Sequence, residues 1–137
     1  MPRIMLALAA ILLVSATAAR AQQTAEAVLS GASGDALFKT YCRSCHGKSA
    51  KGDGIMADYL RFRPADLTLI AKHNAGKFDA DAVYRIIDGR DRVRGHGGTD
   101  MPVWGDAFKR SADGYSEKAV KARIQAIVNY LKTIQVK

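Results

Sequence analysis

The clearest pattern along the chain lies near its end, where Val120, Ile124, Ile127, Val128 and Leu131 recur at four- and three-residue intervals opposite Lys118, Lys121, Arg123 and Lys132. That spacing predicts an amphipathic helix opened by Ser116, with Arg123 on its polar face. A second helix is expected over 80–88. Asp79 is its N-cap, Val83, Ile86 and Ile87 its apolar stripe, and Gly89 sits where a C-terminal cap belongs. Ser33 is suited to cap a third, in which Leu37, Phe38 and Tyr41 fall on one side and which runs into Cys42. From Gly47 to Pro64 the glycines at 47, 52 and 54 argue for loop, with a short helical piece around Met56 to Leu60. Gly95, Gly97 and Gly98 break all periodicity before Met101. No stretch alternates with a period of two and no repeat is present, so the expected fold is all-α and loop-rich. Three short stripes make a thin core, which a large apolar cofactor would complete.

The amino terminus follows a different logic. Met1-Pro2-Arg3 is positive, Ile4 to Val14 is an apolar run, and Ala19-Arg20-Ala21 is a small-x-small cleavage site, with Ala16-Thr17-Ala18 a second one. This is the form of a secretory signal peptide over 1–21. An uncleaved anchor is the competing reading, but the run is shorter than the ~20 apolar residues that span a bilayer. The polar residues 22–32 read as a flexible leader, and 33–137 as one domain, as the length of 137 residues suggests. Export places the protein in the periplasm, with no membrane span after cleavage.

The whole chain has 21 basic and 13 acidic residues, a formal net charge of +8. Losing Arg3 and Arg20 with the signal peptide leaves it basic. Solubility is one meaning of this charge. A sharper one is long-range steering of redox partners with acidic docking surfaces. Nucleic acid is a poor partner, because the chain is exported and its aromatics do not interleave with a basic stripe. A monomer is the simplest expectation.

Only two cysteines exist, Cys42 and Cys45, and an oxidising compartment does not leave thiols idle. They stand in Cys42-Arg43-Ser44-Cys45-His46, the C-x-x-C-H pattern of c-type haem attachment. At i and i+3 of a helical turn, two thiols reach the vinyl groups on one edge of a porphyrin. The next residue, His46, then lies beneath the iron and offers one ring nitrogen as the proximal ligand while an acceptor holds the other. Three other readings compete. A dithiol oxidoreductase lacks its strand–helix context here. A zinc site would have to recruit His73 or His96, and a disulfide across so small a loop stabilises little.

The ligand on the opposite face of the iron separates electron transfer from ligand chemistry. Met101 is best placed, far enough beyond His46 for the chain to wrap the ring, and Pro102 biases it toward an extended conformation that presents the sulfur from a stiff loop. Met56, in Ile55-Met56-Ala57, is expected to be an ordinary packing methionine. His96 and His73 are rivals that would give a lower potential.

These residues resemble the class I cytochromes c, most of all the short bacterial periplasmic members with a single haem. The likeness runs from Ser33 to the end of the chain. It is carried by Gly34-Asp35-Ala36-Leu37-Phe38, the attachment motif with Gly47, Gly52-Asp53-Gly54, Pro64-Ala65-Asp66-Leu67, Met101-Pro102-Val103-Trp104-Gly105 and Tyr130-Leu131. The resemblance implies a cytochrome c fold of three to five helices around one haem c per chain, covalently held through Cys42 and Cys45, with His46 and Met101 as axial ligands. It also implies crossed terminal helices, Gly34 and Phe38 meeting Ile127, Tyr130 and Leu131. By the same resemblance Pro64 is the candidate whose carbonyl accepts the second ring proton of His46, and Trp104 packs on the ring, bonds a propionate or simply fills the core. Arg61 and Arg63 are suited to neutralise propionates. Arg85, Arg90, Arg92 and Arg94 read as a solvated basic stretch.

The expected function is reversible single-electron carriage, without enzymatic bond chemistry. A haem subunit of a dehydrogenase or oxidase complex, and a sensor with an open sixth site, remain the alternatives.

Overall fold

The computed structural model describes residues 33–90, 101–111 and 115–136, and residues 32–137 form one compact unit. The signal peptide, the leader, His96, Arg92 and Arg94 lie outside the described residues. Within them the chain is helical and has no strand.

Each expected helix forms where its caps sit. Ser33 Oγ accepts the Ala36 amide at 3.2 Å and opens α1, Gly34–Tyr41. After a single non-helical residue, Cys42, the chain turns again in α2, Arg43–His46. A 3-10 turn at Ala57–Tyr59 stands for the short piece expected there. A second 3-10 turn, Leu67–Leu69, runs into α3, Ile70–His73. Asp66 caps this pair by accepting from the Thr68 amide at 2.9 Å. Asp79 caps α4, Ala80–Asp88, and Gly89 ends it in the left-handed conformation. α5, Trp104–Lys109, follows Met101, and Ser116 caps α6, Glu117–Thr133. The Leu67–His73 elements and α5 are too short to show apolar periodicity, and the pattern of residues alone does not announce them.

The core is the face of α6. Val120, Ile124, Ile127, Val128 and Leu131 are all buried, each worth about 1.5–3 kcal/mol relative to exposure. α1, α4 and α5 all pack on this helix. At the crossing of α1 and α6 the backbones nearly touch: a Cβ on Gly34 would lie 2.0 Å from the Ala126 carbonyl oxygen and 2.8 Å from Tyr130 Cβ. One turn on, the Phe38 and Tyr130 rings meet at 5.3 Å. Behind α6 the chain turns back, and Gln135 accepts from the Ala71 amide and donates to the Leu67 and Leu131 carbonyls. The amide of Val136 adds a bond to the Thr68 carbonyl. The end of the chain thereby fixes the Leu67–His73 segment against the last helix.

Two expectations change. Arg123, assigned to the polar face of α6, is only 3% exposed. Its guanidinium lies over the Tyr115 ring at 4.1 Å, near Phe108 and Tyr41, and donates to the Tyr115 hydroxyl at 2.7 Å. The aromatic faces attract the cation, so an arginine at the edge of the apolar stripe turns inward. Met56, expected to pack, is 43% exposed, while its neighbour Ala57 takes the buried position.

Candidate haem-binding site

The attachment motif lies on the turn that joins α1 to the glycine loop, and backbone bonds hold that turn. The Gly52 amide donates to the His46 carbonyl at 2.8 Å, Gly54 to Cys45 at 3.1 Å and Met56 to Ser44 at 2.9 Å. Three successive carbonyls at the end of α2 thus find partners in the loop that follows. Gly52 has φ +77°, and a Cβ there would lie 2.1 Å from the Pro64 carbonyl oxygen. The loop closes onto 64–65 only because that side chain is absent.

This closure decides what holds His46. The Pro64 carbonyl faces Gly52, and it is the Ala65 carbonyl that lies 3.1 Å from His46 Nδ1. The role expected of Pro64 therefore falls one residue later. Pro64 still shapes the segment, since proline's fixed φ stiffens the approach to Ala65. Nothing in the residue types distinguishes Ala65 from Pro64 as acceptor. The register is set by the close approach of Gly52.

A carbonyl only accepts, so Nδ1 carries the proton and donates to Ala65, leaving Nε2 with a free lone pair. Burial holds the imidazole pKa below its ordinary value, partly offset by the Ala65 bond. Neutral imidazole with Nδ1 protonated is the form a metal needs at Nε2.

Cys42 and Cys45 are partly buried and not joined to each other. Burial, and then the neighbouring Cys45, push the Cys42 thiol up to about 12. A redox-active dithiol needs a stabilised thiolate, and this environment works against one. Among the described residues no three His, Cys, Asp or Glu side chains converge to hold a metal ion, which removes support from the zinc reading that uses His73.

Apolar side chains lie uncovered on both segments that the candidate ligands occupy. Met56 and Phe62 follow the motif, and Met101 and Val103, at 38% and 39% exposed, precede α5. Trp104 opens α5 with its ring 5.5 Å from Tyr41, the residue before Cys42, and 5.4 Å from Phe108. It is thus part of an aromatic cluster that joins α5 to the end of α1. Arg61 lies over the Phe62 ring at 5.3 Å. A porphyrin fits this donor set: two thiols at i and i+3, an imidazole with Nε2 free, a thioether on a separate segment, and apolar surface for the ring.

Fold and donor set together define a c-type cytochrome domain. The family model for cytochrome c oxidase, cbb3-type, subunit III matches residues 30–131, and the chain belongs to that family. The family carries haem c with iron and works in electron transfer. No curated protein and no solved structure matches the chain significantly. No helix among the described residues is long and apolar enough to cross a membrane.

Proposed function

We propose that the protein is an exported single-haem carrier that passes one electron at a time between partner proteins in the periplasm, and that it breaks no bond itself. The observation that carries this reading is the His46–Ala65 pair beside the two cysteines, which supplies a neutral, oriented ligand at the attachment motif. Bound haem supplies the Fe(II)/Fe(III) couple. The chain's own part would be to tether the haem through Cys42 and Cys45 and to offer it His46 Nε2 and the Met101 sulfur as ligands. A soft thioether favours the reduced state and raises the potential. With both His46 and Met101 given to a bound haem, no position would be left open for a substrate. The exposed cations Arg43, Lys48, Lys51 and Arg63 border the motif segment and suit a brief encounter with an acidic partner. The amino-terminal pattern of 1–21 supports export, as a c-type haem protein requires.

A second reading is favoured by the family itself, whose description names an oxidase subunit. The chain then hands its electrons on inside a complex. Both readings use the same residues and differ in whether the protein stays attached.

The test is the optical spectrum of protein made in a host competent for export and haem maturation, oxidised, reduced and exposed to carbon monoxide. The carrier gives a haem that survives denaturation, a far-red methionine-to-iron band and no carbon monoxide response. Cys42→Ser together with Cys45→Ser removes the covalent haem. Ready carbon monoxide binding by the native protein overturns Met101 ligation and favours a sensor, and absence of haem overturns the reading altogether. Copurification with an oxidase under mild extraction assigns the protein to a complex.

A further inference from the structure

Next to the Met101 segment, but outside the haem donor set, four charged side chains from three helices and one connection meet. Arg90 follows α4. Its Nε lies 3.0 and 3.1 Å from the two carboxylate oxygens of Asp88, and its Nη1 lies 2.9 Å from both oxygens of Glu117. Lys109, at the end of α5, donates to Glu117 at 2.7 Å. Glu117, in the first turn of α6, therefore ties the end of α4 and the end of α5 to the central helix. Asp88 is 8% exposed, and its charge is compensated by a guanidinium fork of matching shape.

The cluster bears directly on the backbone that follows Met101. A Cβ on Gly105 would lie 2.3 Å from Asp88 Oδ1, 2.5 Å from Arg90 Nε and 2.9 Å from the Asp88 carbonyl oxygen. A Cβ on Gly89 would lie 3.2 Å from Val103 Cα. The pair Asp88–Arg90 thus covers Gly105, and the cap of α4 abuts Val103, two residues from Met101. Trp104, between them, is held by Tyr41 and Phe108, while Val103 is 39% exposed and Gly105 has no side chain, so on this side the segment is backed by the end of α4 and the ion pair.

We propose that Asp88, Arg90 and Glu117 are positioning residues for the sixth ligand: their ion-pair latch backs Gly105 and fixes the end of α4, whose Gly89 abuts Val103, and so would hold the Met101 sulfur in place against exchange for an outside ligand. The proposal rests on Met101 being that ligand. It assigns to Arg90 a role opposite to that of a solvated cation, and it places the control of ligand exchange in α4 and α6 rather than in the haem contacts.

The experiment uses the haem-loaded protein and follows the far-red band of the ferric form and its affinity for cyanide, which competes with methionine. Glu117→Gln keeps the shape and loses the charge that bridges Arg90 and Lys109. It is expected to weaken the band and tighten cyanide binding about fivefold, in line with a partly exposed network. Arg90→Gln leaves the Asp88 carboxylate unpaired against Gly105 and is expected to do so by about tenfold or more. Ile127→Val, which thins the core at the α1–α6 crossing, is the control for general loosening and is expected to lower the melting temperature with cyanide affinity unchanged. If Arg90→Gln does not fold, Glu117→Gln decides. Latch variants that melt earlier but keep the wild-type band and cyanide affinity overturn the proposal and leave a structural role only. Wild-type protein with no far-red band, indistinguishable from Met101→Ala, overturns Met101 ligation itself and the latch role with it.

Discussion

The crossing of α1 with α6 and the loop from Gly47 to Leu67 are both tightly joined, but by opposite means. At the crossing, side chains do the joining: Leu37 and Phe38 of α1 and Ile124, Ile127 and Leu131 of α6 are all buried, the Phe38 ring meets Tyr130, and one glycine lets the backbones meet. In the loop, backbone amides and carbonyls do it, while Ile55, Tyr59 and Phe62 point outward. Apolar burial is roughly proportional to area and indifferent to direction, whereas hydrogen bonds between main-chain groups fix direction. The first region is therefore suited to supply stability, and the second to aim a ligand.

The largest effect that separates them is expected for Phe38→Ala. Phe38 is 1% exposed and pairs with Tyr130, so truncation should cost about 3–5 kcal/mol, read from denaturant unfolding of the haem-loaded protein. The folded fraction should keep its native visible spectrum, because nothing about His46 or Ala65 has moved. A spectrum that shifts with the loss of stability would break the division between a stabilising region and an aiming one.

Gly52→Ala should do the reverse. The new methyl meets the Pro64 carbonyl from a backbone at φ +77°, and such strain costs about 1–3 kcal/mol. Its distinctive result is displacement of Ala65, lengthening the bond to His46 Nδ1. The imidazole becomes a weaker donor to the iron, and the potential should rise relative to wild type. Unfolding and potentiometry on the same sample check both parts. A loss of stability with an unchanged potential would mean that the loop does not aim the ring.

The same contrast explains what could be read from residue types alone. The stripes and caps of α1, α4 and α6 are periodic signals, and Ser33, Asp79 and Ser116 all bond the amides their positions imply. Cys42, Cys45 and His46 stand out in the sequence for the same reason, since the spacing of such a motif carries its chemistry. Ala65 was not, because the acceptor is a carbonyl that every residue possesses, and only the Gly52 contact selects it. Arg123 turns inward against its expected place because periodicity weighs charge and ignores the aromatic rings of Tyr41, from α1, Phe108, from α5, and Tyr115, just before α6. The contact of Arg90 with Glu117 is hidden in a similar way: the two residues are 27 positions apart, and Arg90 has Asp88 and Asp91 as nearer acids, so nothing in the sequence points to Glu117.

The smallest effect expected lies at the junction of the two regions and concerns acid. Hydrogen bonds from Lys109 and then Arg90 lower the Glu117 carboxyl to about 2, from an ordinary value of 4.5. A carboxylate whose folded pKa is depressed stabilises the fold above its unfolded pKa. That contribution fades as the pH falls from about 4.5 toward 2, where the folded state also takes up the proton. Wild type should therefore melt above Glu117→Gln at pH 7, and the gap should shrink across that acid window. Because Glu117 is partly exposed, with 45% of its side chain accessible, salt should narrow the gap at pH 7 as well. Melting of both proteins at several pH values and two ionic strengths checks this. A gap that stays constant from pH 7 to pH 2 would show that Glu117 acts through shape alone and that charge does not join α4 and α5 to the central helix.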